Sequence, residues 1–350
     1  MIRLRRWGLL DKVVATNCPE IPGLGLDLGE IALKGVPPPI DGVASFYAPR
    51  RTGLDKILVD AAVEAGAELR TGFSVREIVM DNGRVTGVRG DGKSKASTET
   101  LSGRIVVGAD GMRSAVARSV QAPEYNGRPS LTCWYYSYWS GLPVQEATWH
   151  VRGDKLIGVV STNDGLSVVI TVWKNDRFHD YRTNIEQNFL QTLDLVPALA
   201  RRLKDGKRQE RFVGTGDLPN FFRKPYGPGW VLVGDAGYHK DPVTGQGITD
   251  AFCDAELVTQ AIDEGFSGRR PLDAALADYE RQRNERVMPM YEFTCQLASL
   301  DPPPPEMLQL YAALSRNQEE TNCFMGAIAG TVPIPEFFAP DNVARIVAAA

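Results

Sequence analysis

The chain has 350 residues, 43% hydrophobic and 23% charged, a balance that can bury a core and excludes a mostly disordered polypeptide. Its 39 Lys and Arg against 43 Asp and Glu leave a net charge of −4, which argues against a nucleic-acid binder with a broad basic surface. No apolar run reaches the ~18 residues of a membrane span; the nearest, 323–339, is cut by Gly326, Gly330, Pro333, Pro335 and Glu336.

Length predicts about two domains. The five cysteines are scattered, with no C-x-x-C pair, which speaks against a disulfide framework or a zinc module and for a reducing cytoplasm. His150, His179 and His239 lie too far apart to predict a metal site. The opening Met-Ile-Arg-Leu-Arg-Arg-Trp has no apolar signal-peptide core.

In chain order, a short charged helix is predicted over residues 2–14, followed by a stretch rich in Gly and Pro. Leu54, Ile57, Leu58, Ala61, Ala62 and Ala65 recur at helical spacing, so residues 53–65 read as an amphipathic helix stopped by Gly66. Short strands are expected over 68–70, 74–80 and 84–89, with Asp81-Asn82-Gly83 as a hairpin turn. A buried strand over 104–107 ends at Gly108-Ala109-Asp110-Gly111. From about residue 123 the texture changes. Strands over 132–140, 148–151, 156–161 and 166–173 follow one another without a long helix between them, which implies an antiparallel sheet. Helices over 182–193 and 198–204 are expected to cover it.

A buried strand over 230–234 then leads through a loop into a long helix, with Ile248, Ala251, Phe252, Ala255, Val258 and Ile262 expected on one face. A C-terminal helical segment is broken at Pro302 to Pro305. The fold class is therefore α/β, α+β overall: a nucleotide-binding domain from 1–122 and 228–300, an inserted antiparallel-sheet substrate domain over 123–227, and a helical tail over 301–350.

The chemistry concentrates in Gly234-Asp235-Ala236, Pro242 and Gly245-Gln246-Gly247, which run from a strand end into a helix. Ligands of open α/β sheets sit at the carboxyl ends of strands. Gly234 allows close backbone approach to a ligand, and Asp235 can accept hydrogen bonds from sugar or polyol hydroxyls. Gly245 and Gly247 let the chain present free N–H groups at a helix start, where the macrodipole adds partial positive charge. Such a place stabilises an anion, including one that forms only when a cofactor is reduced.

These residues, with Asp254-Ala255, resemble the GD motif of FAD-dependent monooxygenases of the para-hydroxybenzoate hydroxylase type. Asp110-Gly111-Met112-Arg113-Ser114, with Val116 and Arg118, resembles that family's second motif, D-G-x-x-S-x-V-R, near the cofactor phosphates. By the residues alone, Asp110-Gly111 is a turn and Ser114 a helix N-cap. The resemblance implies FAD, with Asp235 on the ribitol, and Gly234, Pro242, Gly245 and Gly247 around the flavin. It further implies Asp110 near the phosphates, Arg51 (Arg50 its competitor) at the pyrophosphate, and the backbone of Val75 at the adenine.

The implied activity is oxygen insertion into an apolar or aromatic small molecule through a flavin C4a-hydroperoxide, with NAD(P)H as reductant. No catalytic residue is assigned. A flavin-dependent reductase of a carbon–carbon double bond is the alternative, whereas the halogenase W-x-W-x-I-P motif is absent. The family's opening strand, G-x-G-x-x-G and helix is also absent; Gly23, Gly25 and Gly29 read as a loop or short strand pair. A chain that starts inside the domain is expected to bind FAD weakly, which leaves a non-catalytic fragment as a third reading. Among Trp134, Tyr135, Tyr136, Tyr138 and Trp139, strand alternation lets one set line a pocket and assigns the other to the core. His239 is expected on a solvated loop and Cys253 in helix packing.

Overall fold

The computed structural model describes residues 1–43, 45–92, 98–142 and 144–349. They form two compact units: 1–67 with 130–218 and 296–350, and 68–129 with 219–295. This division differs from the expected domain bounds, because residues 1–67 group with the antiparallel sheet.

The reason lies in the glycine-rich stretch. Leu24–Asp27 and Ala32–Gly35 form an antiparallel pair, and Leu24–Asp27 also pairs in parallel with Ala147–Arg152. They thereby extend a sheet ordered Lys207–Arg208, Thr132–Ser140, Leu166–Lys174, Lys155–Ser161, Ala147–Arg152, Leu24–Asp27, Ala32–Gly35, with Val213–Thr215 also on Thr132–Ser140. Every other pairing in this sheet is antiparallel.

Strand alternation sorts the aromatic strand as expected. Tyr135 stacks on Tyr181 at 4.4 Å and Trp139 on Phe189 at 5.5 Å, within the core beneath the covering helices. Trp134, Tyr136 and Tyr138 take the other face, where Trp134 meets Trp149 edge-on at 5.7 Å and both tyrosines are half-buried. The helix expected over 182–193 is split into Phe178–Thr183 and Ile185–Asp194. Asn184 divides them by accepting the Gln187 N–H at 3.3 Å as an N-cap. The C-terminal helices Pro305–Leu314, Gln318–Ala329, Ile334–Phe337 and Pro340–Ala348 build a second core around Leu33.

Two sequence expectations in this unit change. The helix predicted over 2–14 is two short ones, Ile2–Arg6 and Leu10–Val14, interrupted at Gly8 with φ +69°. The amphipathic helix forms as Arg51–Glu64, but only Leu54 is buried, while Val59 and Val63 are 40% and 45% exposed. It packs against Leu10–Val14, and a five-residue helix is too short to cover a 14-residue stripe.

In the other unit, Val106–Gly108 and Trp230–Leu232 pair in parallel, with Tyr226–Gly227 antiparallel beyond them. Ser74–Asp81, Arg84–Asp91 and Thr98–Ser102 form a meander whose first turn has Asn82 and Gly83 at φ +47° and +77°. Positive φ at both positions is the tight hairpin geometry that Asn-Gly favours. The strand expected over 68–70 does not form. A third small sheet joins Glu124–Arg128, Asn220–Arg223 and Tyr238–His239. The helices Gly247–Phe266 and Leu272–Ala298 close a core on Val231, Val258, Ala261, Leu276 and Tyr279. Tyr279 secures it by donating its hydroxyl to the Leu232 carbonyl at 2.8 Å.

Candidate functional site

Strand Trp230–Leu232 runs into a 3₁₀ turn, Gly234–Ala236. Gly234 has φ +55°, and a Cβ added there would lie 3.2 Å from the Cβ of Ala251. Left-handed backbone and a close helix both favour glycine at this position. Asp235 is exposed, whereas Gly234 and every residue from 236 to 241 are buried. Its neighbours are shielded from water, while Asp235 lines an open cavity of about 110 Å³ with Tyr238, Lys240, Pro242, Gly245 and Gly247.

The loop reaches the helix through a second 3₁₀ turn, Pro242–Thr244, which Asp241 caps by accepting the Val243 N–H at 3.1 Å. Gly245 ends that turn at φ +65°. Helix Gly247–Phe266 then begins without a side-chain cap, and a Cβ at Gly245 or Gly247 would meet nothing within 4 Å. Space for a ligand therefore lies beside the glycines at the helix start, on the cavity that Asp235 lines. This arrangement can bind hydroxyls at the carboxylate and negative charge at the helix start.

A buried ionic network lies behind the turn. Lys240 pairs with Asp250 Oδ2, and Arg286 bonds Asp250 Oδ1 and Asp254 Oδ1, each at 3.2 Å. Asp254 Oδ2 accepts the Gly234 N–H at 3.1 Å. Burial pushes the Asp254 carboxyl up to about 6, against the pull of Arg283 and Arg286. Arg283, wholly buried, donates to the Gly237 and Arg223 carbonyls at 3.0 and 3.1 Å. The Tyr238 hydroxyl is buried with no hydrogen-bond partner among the described residues, and burial pushes it well above the usual phenol range.

Sequence reasoning missed this network. The buried stripe of the helix is Asp250, Cys253, Asp254, Val258 and Ala261; of the expected apolar face, Ile248 is 41% exposed and Ala251, Phe252, Ala255 and Ile262 are half-buried. A readable signal was the Asp250/Asp254 pair at i,i+4 with Arg283/Arg286 at i,i+3 on the next helix. His239 is likewise not a solvated loop residue. It is 7% exposed, held in the strand Tyr238–His239, with its ring 5.9 Å from Phe221 and Nδ1 against the Pro219 carbonyl. Cys253 is buried in the helix.

Gly234, Asp235, Pro242, Gly245 and Gly247 thus come together. Val75 belongs to the same unit, 45% exposed and paired with Gly90 in the meander. Asp110 Oδ2 accepts the N–H groups of Ala115 and Val116 at 2.7 and 3.2 Å, and Ser114 Oγ accepts that of Ala117 at 2.9 Å. Both acidic turn and serine therefore cap helix Ala115–Ser119. Arg51 belongs to the other unit, where it opens its helix and grips Asp55 through two bonds of 2.8 and 3.0 Å. Arg50 is the N-cap there, ion-paired with Glu210 and 4.6 Å over the Tyr138 ring.

The fit of this site to a flavin rests on the exposed carboxylate, the uncapped helix start and the open space in front of two glycines. Residues 45–294 match the FAD binding domain family, and the chain belongs to that family. It is 27% identical over 269 residues to digeranylgeranylglycerophospholipid reductase 1 of Methanopyrus kandleri, over 73% of this chain and 68% of that protein. In structure it is similar to a flavoprotein/dehydrogenase of Cytophaga hutchinsonii, with TM-score 0.80 at 17% identity over 99% of this chain and 86% of the other. It is also similar to the flavin-dependent brominase Bmp2, with TM-score 0.78 at 17% identity over 99% and 85%. At such identities the structures speak for the fold. The matched region spans 57% to 68% of the length of these archaeal reductases. Among the described residues, no helix is long and apolar enough to cross a membrane, and no acid, His or Cys cluster could hold a metal.

Proposed function

We propose that the protein is an FAD-dependent oxidoreductase that inserts one oxygen atom of dioxygen into a small apolar or aromatic molecule, with NAD(P)H as reductant. The observation that carries this reading is Asp235, an exposed carboxylate in a buried run, on one cavity with Gly245 and Gly247 at the start of helix Gly247–Phe266. FAD, when bound, supplies two-electron transfer and reactivity toward dioxygen.

The chain's own residues bind and orient. Asp235 would accept hydrogen bonds from the ribitol hydroxyls. The first-turn amides after Gly247 and their dipole would stabilise negative charge on the reduced ring. Pro242 restricts the backbone of the loop between them. Arg51 would exchange Asp55 for the pyrophosphate, to which a guanidinium offers paired donors. Val75 would meet the adenine, and Asp110 would act near the phosphates through the helix start that it caps. Half-buried Tyr136, Tyr138 and Trp149 would offer aromatic contacts to an apolar substrate.

A second reading, reduction of a carbon–carbon double bond, is favoured by the 27% identity to a digeranylgeranylglycerophospholipid reductase. The discriminating experiment follows NAD(P)H oxidation by the purified chain with FAD and a panel of aromatic and polyprenyl compounds. Oxygen uptake matched to hydroxylated product supports the first reading. Saturated product formed without oxygen supports the second.

A further inference from the structure

We infer that Asp254 is a positioning residue for the flavin-binding turn: its ionised carboxylate holds the Gly234 N–H and thereby sets the direction in which Asp235 projects. This rests on the reading of the Asp235 cavity as a flavin site.

Asp254 is wholly buried on helix Gly247–Phe266, one turn after Asp250. Its Oδ2 accepts from Gly234 at 3.1 Å and its Oδ1 from Arg286 at 3.2 Å. Each oxygen accepts from an N–H donor, so a proton added to one of them weakens that oxygen as an acceptor while the other keeps its bond. Gly234 immediately precedes Asp235 and sits at φ +55°, a conformation that glycine adopts as readily as its mirror image, so its bonding partners fix the turn. Besides the Gly234 N–H bond, the turn is closed by the Gly237 N–H on the Gly234 carbonyl at 2.9 Å.

The groups facing Asp254 come from every neighbouring element. Asp250 shares its helix; Arg283, Arg286 and Tyr279 come from Leu272–Ala298; Tyr238 comes from the adjoining strand; and Lys240, from the loop, reaches it through Asp250. His239 lines the same cavity. Burial outweighs the two arginines and pushes the carboxyl up to about 6. Because this exceeds the ordinary value of about 3.9, folding favours the protonated form. The stability Asp254 contributes is fully present below about pH 4 and lost as pH rises through about 6. At neutral pH the molecule therefore keeps an ionised carboxylate that works against stability, and an acceptor for Gly234 and Arg286 is what it gains.

Two measurements on the full chain test this. In cofactor-free protein, the Gly234 amide resonance should titrate with a midpoint near pH 6 and be flat in Asp254→Asn. FAD affinity, read by flavin fluorescence, should weaken about tenfold from about pH 7.5 to about pH 5, as the carboxylate protonates. Asp254→Asn should bind FAD about tenfold more weakly at about pH 7.5, without pH dependence, while the cofactor-free melting temperature holds or rises. An Asn variant that keeps wild-type affinity and pH dependence, or a Gly234 amide that does not titrate near pH 6, overturns the inference. Failure of the flavin reading is seen separately. Wild type and Asp235→Ala would then bind FAD equally or not at all, while the Gly234 titration would still decide whether Asp254 holds the turn.

Discussion

Asp235 and Gly234 are adjacent and answer to different constraints. The aspartate stays in water among buried neighbours, whereas the glycine is shaped by its own backbone and by Ala251 at 3.2 Å. Gly234→Ala should therefore cost about 1–3 kcal/mol in chemical denaturation, because it combines an unfavourable positive φ with a crowded Cβ. The identity of both residues was legible in the sequence, since a strand end followed by Gly-Asp and a Gly-x-Gly helix start is a local pattern. The reason for Gly234 was not legible, because Ala251 reaches it only once the following helix folds back. Lys240, Asp250, Asp254 and Arg286 escaped for the same reason. Their partners are 10 to 36 residues away in sequence, and buried charge is improbable until its counter-charge is seen.

At the scale of elements, the strand Leu24–Asp27 is tied to Ala147–Arg152 by more than its ladder. Asp27 Oδ2 accepts His150 Nδ1–H and an Arg152 N–H, both at 2.7 Å, and Arg152 also donates to the Asp27 carbonyl at 3.0 Å. Burial would raise the Asp27 carboxyl, but the bonds from Arg152 and His150 outweigh it and bring it to about 2. A depressed carboxyl stabilises the fold above its ordinary value of about 3.9, and that contribution disappears as pH falls through about 2. Asp27→Asn should accordingly destabilise the protein by about 2 kcal/mol or less near neutral pH. The difference from wild type should vanish in denaturation curves taken near pH 2. The strands of the antiparallel sheet were legible because their period of two and their turns are local. The short strand pair over 24–27 and 32–35 was legible as one of two local readings, but its attachment to Ala147–Arg152 was not, since pairing between residues more than a hundred apart leaves no local mark. Helix Arg51–Glu64 shows the converse: its apolar stripe is clear in the sequence, yet burial depends on what packs against it, and only Leu54 is buried.

Across the whole molecule, two compact units each carry their own apolar cores, and the residues of the flavin motif all fall within one of them. Fold class was readable because both texture changes along the chain, near residues 123 and 228, are changes of periodicity. Placement of residues 1–67 was not, because it depends on the parallel pairing of Leu24–Asp27 with Ala147–Arg152. A ligand that binds only the folded chain stabilises it by mass action, by about 2.7 kcal/mol at a hundredfold excess over Kd. FAD should therefore raise the thermal midpoint in a concentration-dependent way, and adenosine alone should do so less. The most direct test of the proposed flavin site is removal of the exposed Asp235 carboxylate, Asp235→Ala, followed by gel filtration with FAD and a visible spectrum of the protein peak. Wild type should elute yellow, and the variant should elute folded and colourless, with FAD affinity reduced at least about tenfold, as loss of hydrogen bonds to a charged acceptor implies. A variant that holds its flavin as tightly as wild type would contradict the account.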